Sequence, residues 1–357
     1  MKLAPVRAPT ALEYVYPEPP APGQATAVAP GVWWLRMPLP FALDHINLWA
    51  LEDDGGWTLV DCGLGTEATR VLWARLFDGP FGAGPVKRVI VTHCHPDHIG
   101  LAAWLCRDGL VPWMTEAEFL HAHAVFHRTA GTSLAALSRW CRSHGLDAAA
   151  LRTLESGDDP YRRGVPELPQ AFRCIRDGEA LAIGGRAWRV IVGRGHSPEH
   201  AALYCDALGV LIAGDMLLPR ISTNVSVWPA QPDADPLGLF LDSLTALERL
   251  PPGTLVLPSH GLPFRGAARR VSELRGHHQS RLDKLASLCA APRNAAQLLP
   301  EIFNRPLDGH HLVFALGETI AHLNYLRHRD VIERVSDGGD LCFVRRGSVG
   351  ASERAAP

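Results

Sequence analysis

Four polar side chains directly follow a run of valine and isoleucine near residue 90. The segment VIVTHCHPDHIG places His93, His95, Asp97 and His98 within six positions. Imidazole nitrogens and carboxylate oxygens are the usual ligands of zinc and related divalent ions. A turn is the competing explanation, because Pro96 is a typical turn residue and Asp97 is a good N-cap for a following helix. A turn does not account for three histidines around one aspartate, so metal binding is the favoured interpretation.

The same arrangement, a polar residue just past an apolar run, occurs four more times. Asp61 follows TLV, His196 follows VIVGRG, Asp215 follows VLIAG and His260 follows LVLPS. Strand ends in a layered sheet converge on one edge, so residues remote in sequence can meet in one cleft. Five histidines and two aspartates exceed the four ligands of one tetrahedral ion, which indicates two adjacent metal positions.

The elements that must position these residues alternate along the chain. Apolar runs such as GVWWLRM, INLWALE and KRVIVT predict strands, and TEATRVLWARLF predicts a helix with a threonine N-cap. The segment DHIGLAAWLCRDG predicts a helix that begins at Asp97 and ends at Gly109. Residues 115 to 155 are mostly helical in pattern, and strands then resume. We therefore expect an α/β fold with a helical insertion at about residues 111–178.

Composition excludes several classes of protein. The 357 residues are 47% hydrophobic and 20% charged, values that are ordinary for a soluble enzyme, with a net charge of −2. No window approaches the roughly 18 apolar residues of a spanning helix, so no membrane partner is expected. The eight cysteines form no C-x-x-C pair, and the Pro-rich opening carries no apolar export segment. These features predict a cytoplasmic protein with reduced thiols.

The residues quoted above carry a resemblance to the metallo-β-lactamase superfamily. HCHPDH is similar to its H-x-H-x-D-H signature, and GRGHSPEH, AGD and LPSHG resemble its later histidine, aspartate and histidine motifs in the same order. The resemblance implies a four-layer αββα sandwich with the site at one edge. It covers residues 24–264, after an extended N-terminal arm at residues 1–23.

The resemblance also implies how the ligands divide. His93, His95 and His196 would bind one ion, and the other would be bound by Asp97, His98 and His260, with Asp215 bridging the two. Asp61 matches the family's supporting aspartate, which we interpret as a partner of a ligand rather than as a ligand. The ions would be divalent, zinc first, with manganese or iron as alternatives.

Other histidines are weaker candidates. His200 lies four residues after a ligand and could contact substrate, support the ligands or simply be buried. His123 and His127 have i, i+4 spacing but no HExxH pattern, so we interpret them as surface or lid residues.

Two divalent ions sharing a water would lower its pKa and supply hydroxide for a hydrolysis, with Asp97 as the catalytic residue that orients the nucleophile or takes its proton. The favoured substrate is a small ester, thioester or lactone, because the insertion supplies apolar side chains such as Trp113 and Phe126 to a predicted pocket wall. The alternative is a phosphodiesterase or endoribonuclease acting on single-stranded RNA. An iron-dependent oxidoreductase of the same fold ranks third. Relatives that bind a single iron use fewer metal ligands, whereas this sequence has the complete second-site pair Asp97 and His98.

Residues 265–346 predict three helices followed by a turn into a strand, an order that resembles a winged helix; a short tail follows at residues 347–357. Residues 262–357 hold 14 Lys and Arg against 10 Asp and Glu. This excess is small for a surface that follows phosphates, so nucleic acid is the less favoured partner. A homodimer contact or a structural lid is the preferred role for this segment.

Overall fold

The structure is a computed structural model that describes residues 11–82, 84–107, 109–129, 131–156, 159–303, 307 and 309–347. For residues 154–156, 309 and 310 it describes the backbone. Residues 1–10 of the predicted N-terminal arm and residues 348–357 of the predicted tail lie outside the described residues.

The strands are numbered in chain order. They are β1 (Glu13–Tyr14), β2 (Ala25–Ala29), β3 (Val32–Pro38), β4 (His45–Glu52), β5 (Trp57–Val60), β6 (Val86–Ile90), β7 (Trp113–Met114), β8 (Arg173–Cys174), β9 (Ala180–Ile183), β10 (Arg186–Gly193), β11 (His200–Cys205), β12 (Val210–Gly214), β13 (Leu255–Pro258), β14 (Phe264–Arg265), β15 (Arg293–Asn294), β16 (Ile332–Asp337) and β17 (Asp340–Arg345).

The helices are numbered in the same way. They are α1 (Glu67–Asp78), α2 (Pro96–Ile99), α3 (Ala102–Leu105), α4 (Glu116–Phe126), α5 (Leu134–Ser143), α6 (Ala148–Ser156), α7 (Pro160–Gly164), α8 (Pro236–Glu248), α9 (Ala267–Leu288), α10 (Ala295–Ile302) and α11 (Gly309–His328).

Two seven-stranded sheets form the sandwich. One has the order β2-β3-β4-β5-β6-β7-β8, and the other has the order β1-β14-β13-β12-β11-β10-β9. Their shared core contains the stacked indoles of Trp34 and Trp49, whose ring centroids lie 6.1 Å apart. The opposite face of the first sheet buries Leu35 and Leu48 together with Trp73 of α1. Both faces of β3 and β4 are therefore apolar, as in a sheet covered on both sides. The predicted αββα sandwich is confirmed, with sheets flanked by helices.

Parallel strand pairs explain why remote ligands meet. Strand β5 pairs parallel to β6, and β12 pairs parallel to β13. Parallel strands end at the same edge, so Asp61 comes beside the segment that starts at His93, and Asp215 comes beside His260. Backbone bonds then join the two sheets at this edge. Asn47 N–H donates to Ser259 O (2.7 Å), and Ala201 N–H donates to Thr92 O (2.8 Å).

Contacts between residues divide the chain into two compact units. The first holds Met1–Phe126, Asp159–Thr223 and Ser243–Glu273, and therefore both large sheets. The second holds His127–Asp158, Asn224–Asp242 and the chain from Leu274 onward. Within the predicted insertion at about 111–178, the middle part with α5 and α6 groups with the C-terminal elements, and the insertion itself stays a prediction. The first unit also extends past the predicted boundary at residue 264.

The second unit contains its own small sheet. Strands β15, β17 and β16 form an antiparallel sheet in that order, and β16 and β17 are joined as a hairpin. The order α9, β15, α10, α11, β16, β17 contains three helices as predicted, but α11 is followed by two strands, β16 and β17, and not by a single one. The likeness to a winged helix stays a prediction. In the described part of the chain, no helix combines the length and the apolar character that crossing a bilayer requires.

Candidate metal centre

The first ligand-bearing loop leaves β6 and enters a helix that is shorter than predicted. Helix α2 covers only four residues, its N-cap is His95, and Pro96 occupies its first position. Asp97 is therefore inside the first turn, and its predicted N-cap role is wrong. The predicted helix from Asp97 to Gly109 is divided into α2 and α3. Proline at the first helical position removes only a donor that has no partner inside the helix.

Three imidazole nitrogens converge at one end of the cleft. His93 Nε2 lies 2.8 Å from His95 Nδ1 and 3.2 Å from His196 Nε2. Asp215 Oδ2 lies 3.4 Å from His196 Nε2. These four residues, the first donor set, offer ligand atoms that all lie within 4.8 Å of one another. Ligands about 2.0 Å from a tetrahedral ion are separated by about 3.3 Å, so the spacing suits a single ion.

A second donor set adjoins the first and consists of Asp97, His98 and His260. His260 Nε2 lies 3.5 Å from Asp97 Oδ2 and 3.4 Å from Asp215 Oδ1. His98 Nε2 lies 3.8 Å and 3.6 Å from the same two oxygens. Asp215 thus directs one carboxylate oxygen to each donor set, which is the placement expected of a bridging ligand.

Two buried atoms at the junction have no hydrogen-bond partner among the described residues. They are His98 Nε2 and Asp215 Oδ1. Buried polar atoms in native proteins are nearly always satisfied, so an ion between them is the simplest missing partner. The donor types, imidazole and carboxylate, suit zinc and similar divalent ions. The residues present therefore fit a metal ion.

Electrostatics within the centre also favour a cation. Burial, together with the neighbouring imidazoles, lowers the pKa of His93 well below its usual range and keeps this ligand neutral. Burial opposes a charge on His98 as well, but the surrounding carboxylates, Asp61 foremost, raise the pKa of this imidazole to about 10. Burial raises the pKa of Asp215, yet His260 and His98 hold it well below its usual range. An ion bound at His98 Nε2 would displace a proton from it.

Asp61 is hydrogen-bonded to candidate ligands of both donor sets, directly to His98 and through Thr92 to His93. It accepts hydrogen bonds from His98 Nδ1 (2.8 Å) and from the N–H and hydroxyl of Thr92 (2.8 and 2.9 Å). The hydroxyl of Thr92 in turn accepts from His93 Nδ1 at 3.1 Å, so Nε2 of each histidine faces the cleft. Asp61 has a φ of +65°, a left-handed conformation that is rare outside glycine and favours a functional explanation. The supporting role expected of Asp61 agrees with this placement.

The loop that carries His260 is held by residues that sequence reasoning missed. His260 Nδ1 donates to the carbonyl of His45 (2.8 Å), which leaves Nε2 directed at the second donor set. The buried Asn47 amide donates to Pro258 O (2.8 Å) and to Gly261 O (2.9 Å), on either side of the ligand. No local motif marks Asn47, because an asparagine inside a strand has no sequence signal for a contact more than 200 residues away.

His200 lies behind the ligands rather than at an opening. Its side chain is fully buried, and Nε2 accepts the backbone N–H of Asp215 at 3.1 Å. Burial lowers the pKa of His200 to about 3, so it remains a neutral acceptor. The ring centroid is 4.9 Å from that of His93. Of the roles considered for His200, this position favours support of the bridging aspartate over contact with substrate.

The remaining histidine pair does not join either donor set. His123 Nε2 contacts the carbonyl of Pro169 at 3.0 Å, and its ring packs against Phe119. His127 is exposed and belongs to the second unit. His123 lies in α4 and His127 just beyond its end, so the i, i+4 spacing does not bring the two histidines to either donor set.

Comparison with known proteins relates the sequence and the fold of this chain to metallo-beta-lactamase-like proteins. The pattern of the metallo-beta-lactamase superfamily matches residues 42–260, and that of a metallo-beta-lactamase-like C-terminal domain matches residues 282–346. A crystal structure of a beta-lactamase domain protein from Burkholderia ambifaria is 49% identical, with a TM-score of 0.87 over 94% of this chain and 98% of that chain.

Two relatives that are similar in sequence are hydrolases by name. The probable metallo-hydrolase YqjP of Bacillus subtilis is 26% identical over 324 residues, which is 87% of this chain and 96% of that protein. Hydroxyacylglutathione hydrolase of Rhodobacter capsulatus is 28% identical over 123 residues, which is 34% of this chain and 45% of that enzyme.

Proposed function

The chain belongs to the metallo-beta-lactamase superfamily and is a metal-dependent hydrolase, and from this premise we propose that it holds two divalent ions, preferably zinc, and cleaves a small ester, thioester or lactone. The observation that carries the dinuclear assignment is Asp215, whose two oxygens face different donor sets.

The ions would supply Lewis-acid polarisation of the bond under attack and a lowered pKa for a water molecule. Each donor set would bind one of the two ions. His93, His95 and His196 would bind one ion, His98 and His260 the other, and Asp215 would connect them. Asp61 and His200 keep the ligand atoms turned toward the cleft through the hydrogen bonds described above.

Asp97 is the residue to which we assign proton handling. Its side chain is 20% exposed, compared with 11% for Asp215 and none for His98. It is therefore the acidic group of the centre most accessible from solvent. A carboxylate in this position can orient the attacking water and accept its proton, which is a usual role for a positioned general base.

The substrate class is supported by one relative and by charge. One relative, by its name, hydrolyses a hydroxyacylglutathione, and it matches part of this chain. The net charge of −2 provides no general attraction for a polyanion. Basic residues of the second unit are also partly offset by neighbouring acids: Arg327 and Arg334 share Asp233, and Arg329 pairs with Asp235.

The aromatic residues of the predicted insertion support the substrate class less than expected. Trp113 lies between the guanidinium groups of Arg88 and Arg173, at 4.0 and 3.5 Å from its ring centroid. Phe119 stacks on Phe172 with centroids 4.2 Å apart. These contacts are those of packing residues, so they do not define a pocket wall.

The deciding experiment compares two substrates with one preparation. An acyl thioester of glutathione and single-stranded RNA are supplied at about 50 mM and about 200 mM salt, with the Asp97→Asn variant as the contamination control. We expect thioester turnover that changes little with salt and is lost in the variant. RNA cleavage that falls steeply with salt and is also lost in the variant, without thioester turnover, would establish the nuclease alternative instead.

A further inference from the structure

Glu118 is a fully buried carboxylate close to the metal centre, although it belongs to neither donor set. It lies in α4 and accepts three hydrogen bonds: from the N–H of Cys94 (2.9 Å), the hydroxyl of Ser197 (2.6 Å) and the N–H of Glu199 (2.7 Å). An ionised carboxylate accepts but does not donate, so three donors compensate the loss of its hydration. Such charge-assisted bonds are stronger than neutral ones.

The three donors come from the two loops that carry the histidines of the first donor set. Cys94 stands between His93 and His95, and Ser197 directly follows His196. One carboxylate oxygen binds the first loop, and the other binds the second. A displacement of this carboxylate would therefore change the distance between the loops, and with it the 3.2 Å separation of His93 Nε2 and His196 Nε2.

Two further hydrogen bonds hold the same loops through their backbone carbonyl groups. The hydroxyl of Tyr161 donates to Cys94 O (2.8 Å), and the hydroxyl of Thr115 donates to Glu199 O (2.8 Å). Both the N–H and the C=O of Cys94 are thus fixed by side chains outside its own loop. The second donor set is held by other groups, since His98 is bonded to Asp61 and His260 to the carbonyl of His45.

We propose that Glu118 is a positioning residue that sets the spacing of the first donor set and thereby the affinity of the ion bound there. The inference rests on the proposed binding of two ions. It differs from a general packing role in its selectivity, because loss of Glu118 should weaken one ion and leave the ion at Asp97, His98 and His260 in place. Partners of metal ligands typically change metal affinity by about 10 to 100-fold when altered.

The test uses the full chain and the variant Glu118→Gln, which keeps the volume but replaces an accepting oxygen with a donating amide. Glu116→Gln is the matched control, because Glu116 lies on the same helix and is exposed. Metal-free proteins are titrated with Co²⁺, whose visible absorption reports ligand geometry, and Zn²⁺ affinity is measured against a chromophoric chelator. Circular dichroism and thermal unfolding check the fold.

We expect wild type and Glu116→Gln to bind two ions with the same spectrum. Glu118→Gln should bind one ion normally and the other about 10 to 100-fold more weakly, with an altered Co²⁺ spectrum. Ser197→Ala removes one of the three donors without altering the carboxylate and should weaken the same ion to a smaller extent. If Glu118→Gln does not fold, Ser197→Ala, which removes a donor to this carboxylate, decides between the outcomes.

Two unchanged affinities and an unchanged spectrum in these variants would overturn the positioning role while leaving the proposed function intact. Equal weakening of both ions would assign Glu118 to the scaffold in general and would also overturn it. Wild-type protein that binds no ion would refute the proposed function first, and the inference with it.

Discussion

Asp97 and Asp215 are both carboxylates of the metal centre, but their surroundings assign them different tasks. Asp215 is buried, its backbone N–H is bonded to His200, and its oxygens are divided between the donor sets. Asp97 is more exposed, and its Oδ2 lies near His98 and His260 of the second donor set. A carboxylate that both binds an ion and reaches solvent is suited to receive a proton, whereas a buried bridge is suited to hold two charges in place.

The Asp97→Asn variant tests this division at the residue scale. We expect turnover to fall by roughly 100-fold or more, because the amide neither accepts a proton nor binds a divalent ion as an anion does. The fold should remain, since the volume hardly changes. Steady-state kinetics with measured metal content provide the check, and Asp78→Asn, at the exposed C-terminal end of α1, is the control. Near-normal kcat in a folded variant that retains its metal would remove Asp97 from the mechanism.

At the scale of elements, the end of β12 is the most constrained part of the site. Gly214 has a φ of +53°, and a Cβ placed on it would lie 2.2 Å from His200 Nε2. This imidazole nitrogen accepts the N–H of Asp215, so the glycine, the histidine and the bridging aspartate depend on one another. Only a residue without a side chain allows the strand to turn here with His200 against its backbone.

Gly214→Ala is therefore expected to lower the free energy of unfolding by about 1–3 kcal/mol from backbone strain alone. It should also reduce metal retention, because His200 must move and Asp215 loses its backbone partner. Chemical denaturation and elemental analysis measure the two effects. Gly253→Ala serves as the matched substitution, since a Cβ there meets nothing within 4 Å and its φ is not in the left-handed range. A Gly214→Ala protein as stable and as rich in metal as Gly253→Ala would show that His200 does not support Asp215.

For the whole molecule, the candidate metal centre draws on both large sheets at one edge. Its candidate ligands follow β6 in the first sheet and β10, β12 and β13 in the second. Ions bound there would crosslink segments that the unfolded chain holds far apart. Binding that occurs only in the folded state stabilises it by mass action.

Removing metal with a chelator should therefore lower the melting temperature, and adding Zn²⁺ should restore it. The stabilisation is about 4 kcal/mol when free metal exceeds the dissociation constant about 1,000-fold. Differential scanning calorimetry of chelated and reloaded protein measures the shift. Asp97→Asn, which lacks one ligand, should show a smaller increase on reloading. Identical melting of chelated and reloaded wild type would contradict a metal that crosslinks the sheets.

Several features of this protein could be predicted from the sequence alone, because they depend on residues that are close together in the chain. The strands β3, β4 and β6 were predicted from their apolar runs, and the helix α1 was predicted with Thr66 as its N-cap. The candidate ligands were found because His93, His196, Asp215 and His260 each lie just past an apolar run, and because His95, Asp97 and His98 cluster next to His93. The αββα sandwich followed from the resemblance of those motifs to a known superfamily.

Other features were decided only by the tertiary structure, because they depend on contacts between residues distant in the chain. Glu118 looks like any polar residue of a helix until folding surrounds it with donors from two loops. Asn47 is likewise recognisable only beside the loop of His260. The split of α2 from α3 and the grouping of residues 127–158 with the C-terminal elements were also not predicted. Local sequence patterns indicate which face of a helix or strand is apolar. The hydrogen-bond partners of a buried polar group depend instead on how the whole chain packs.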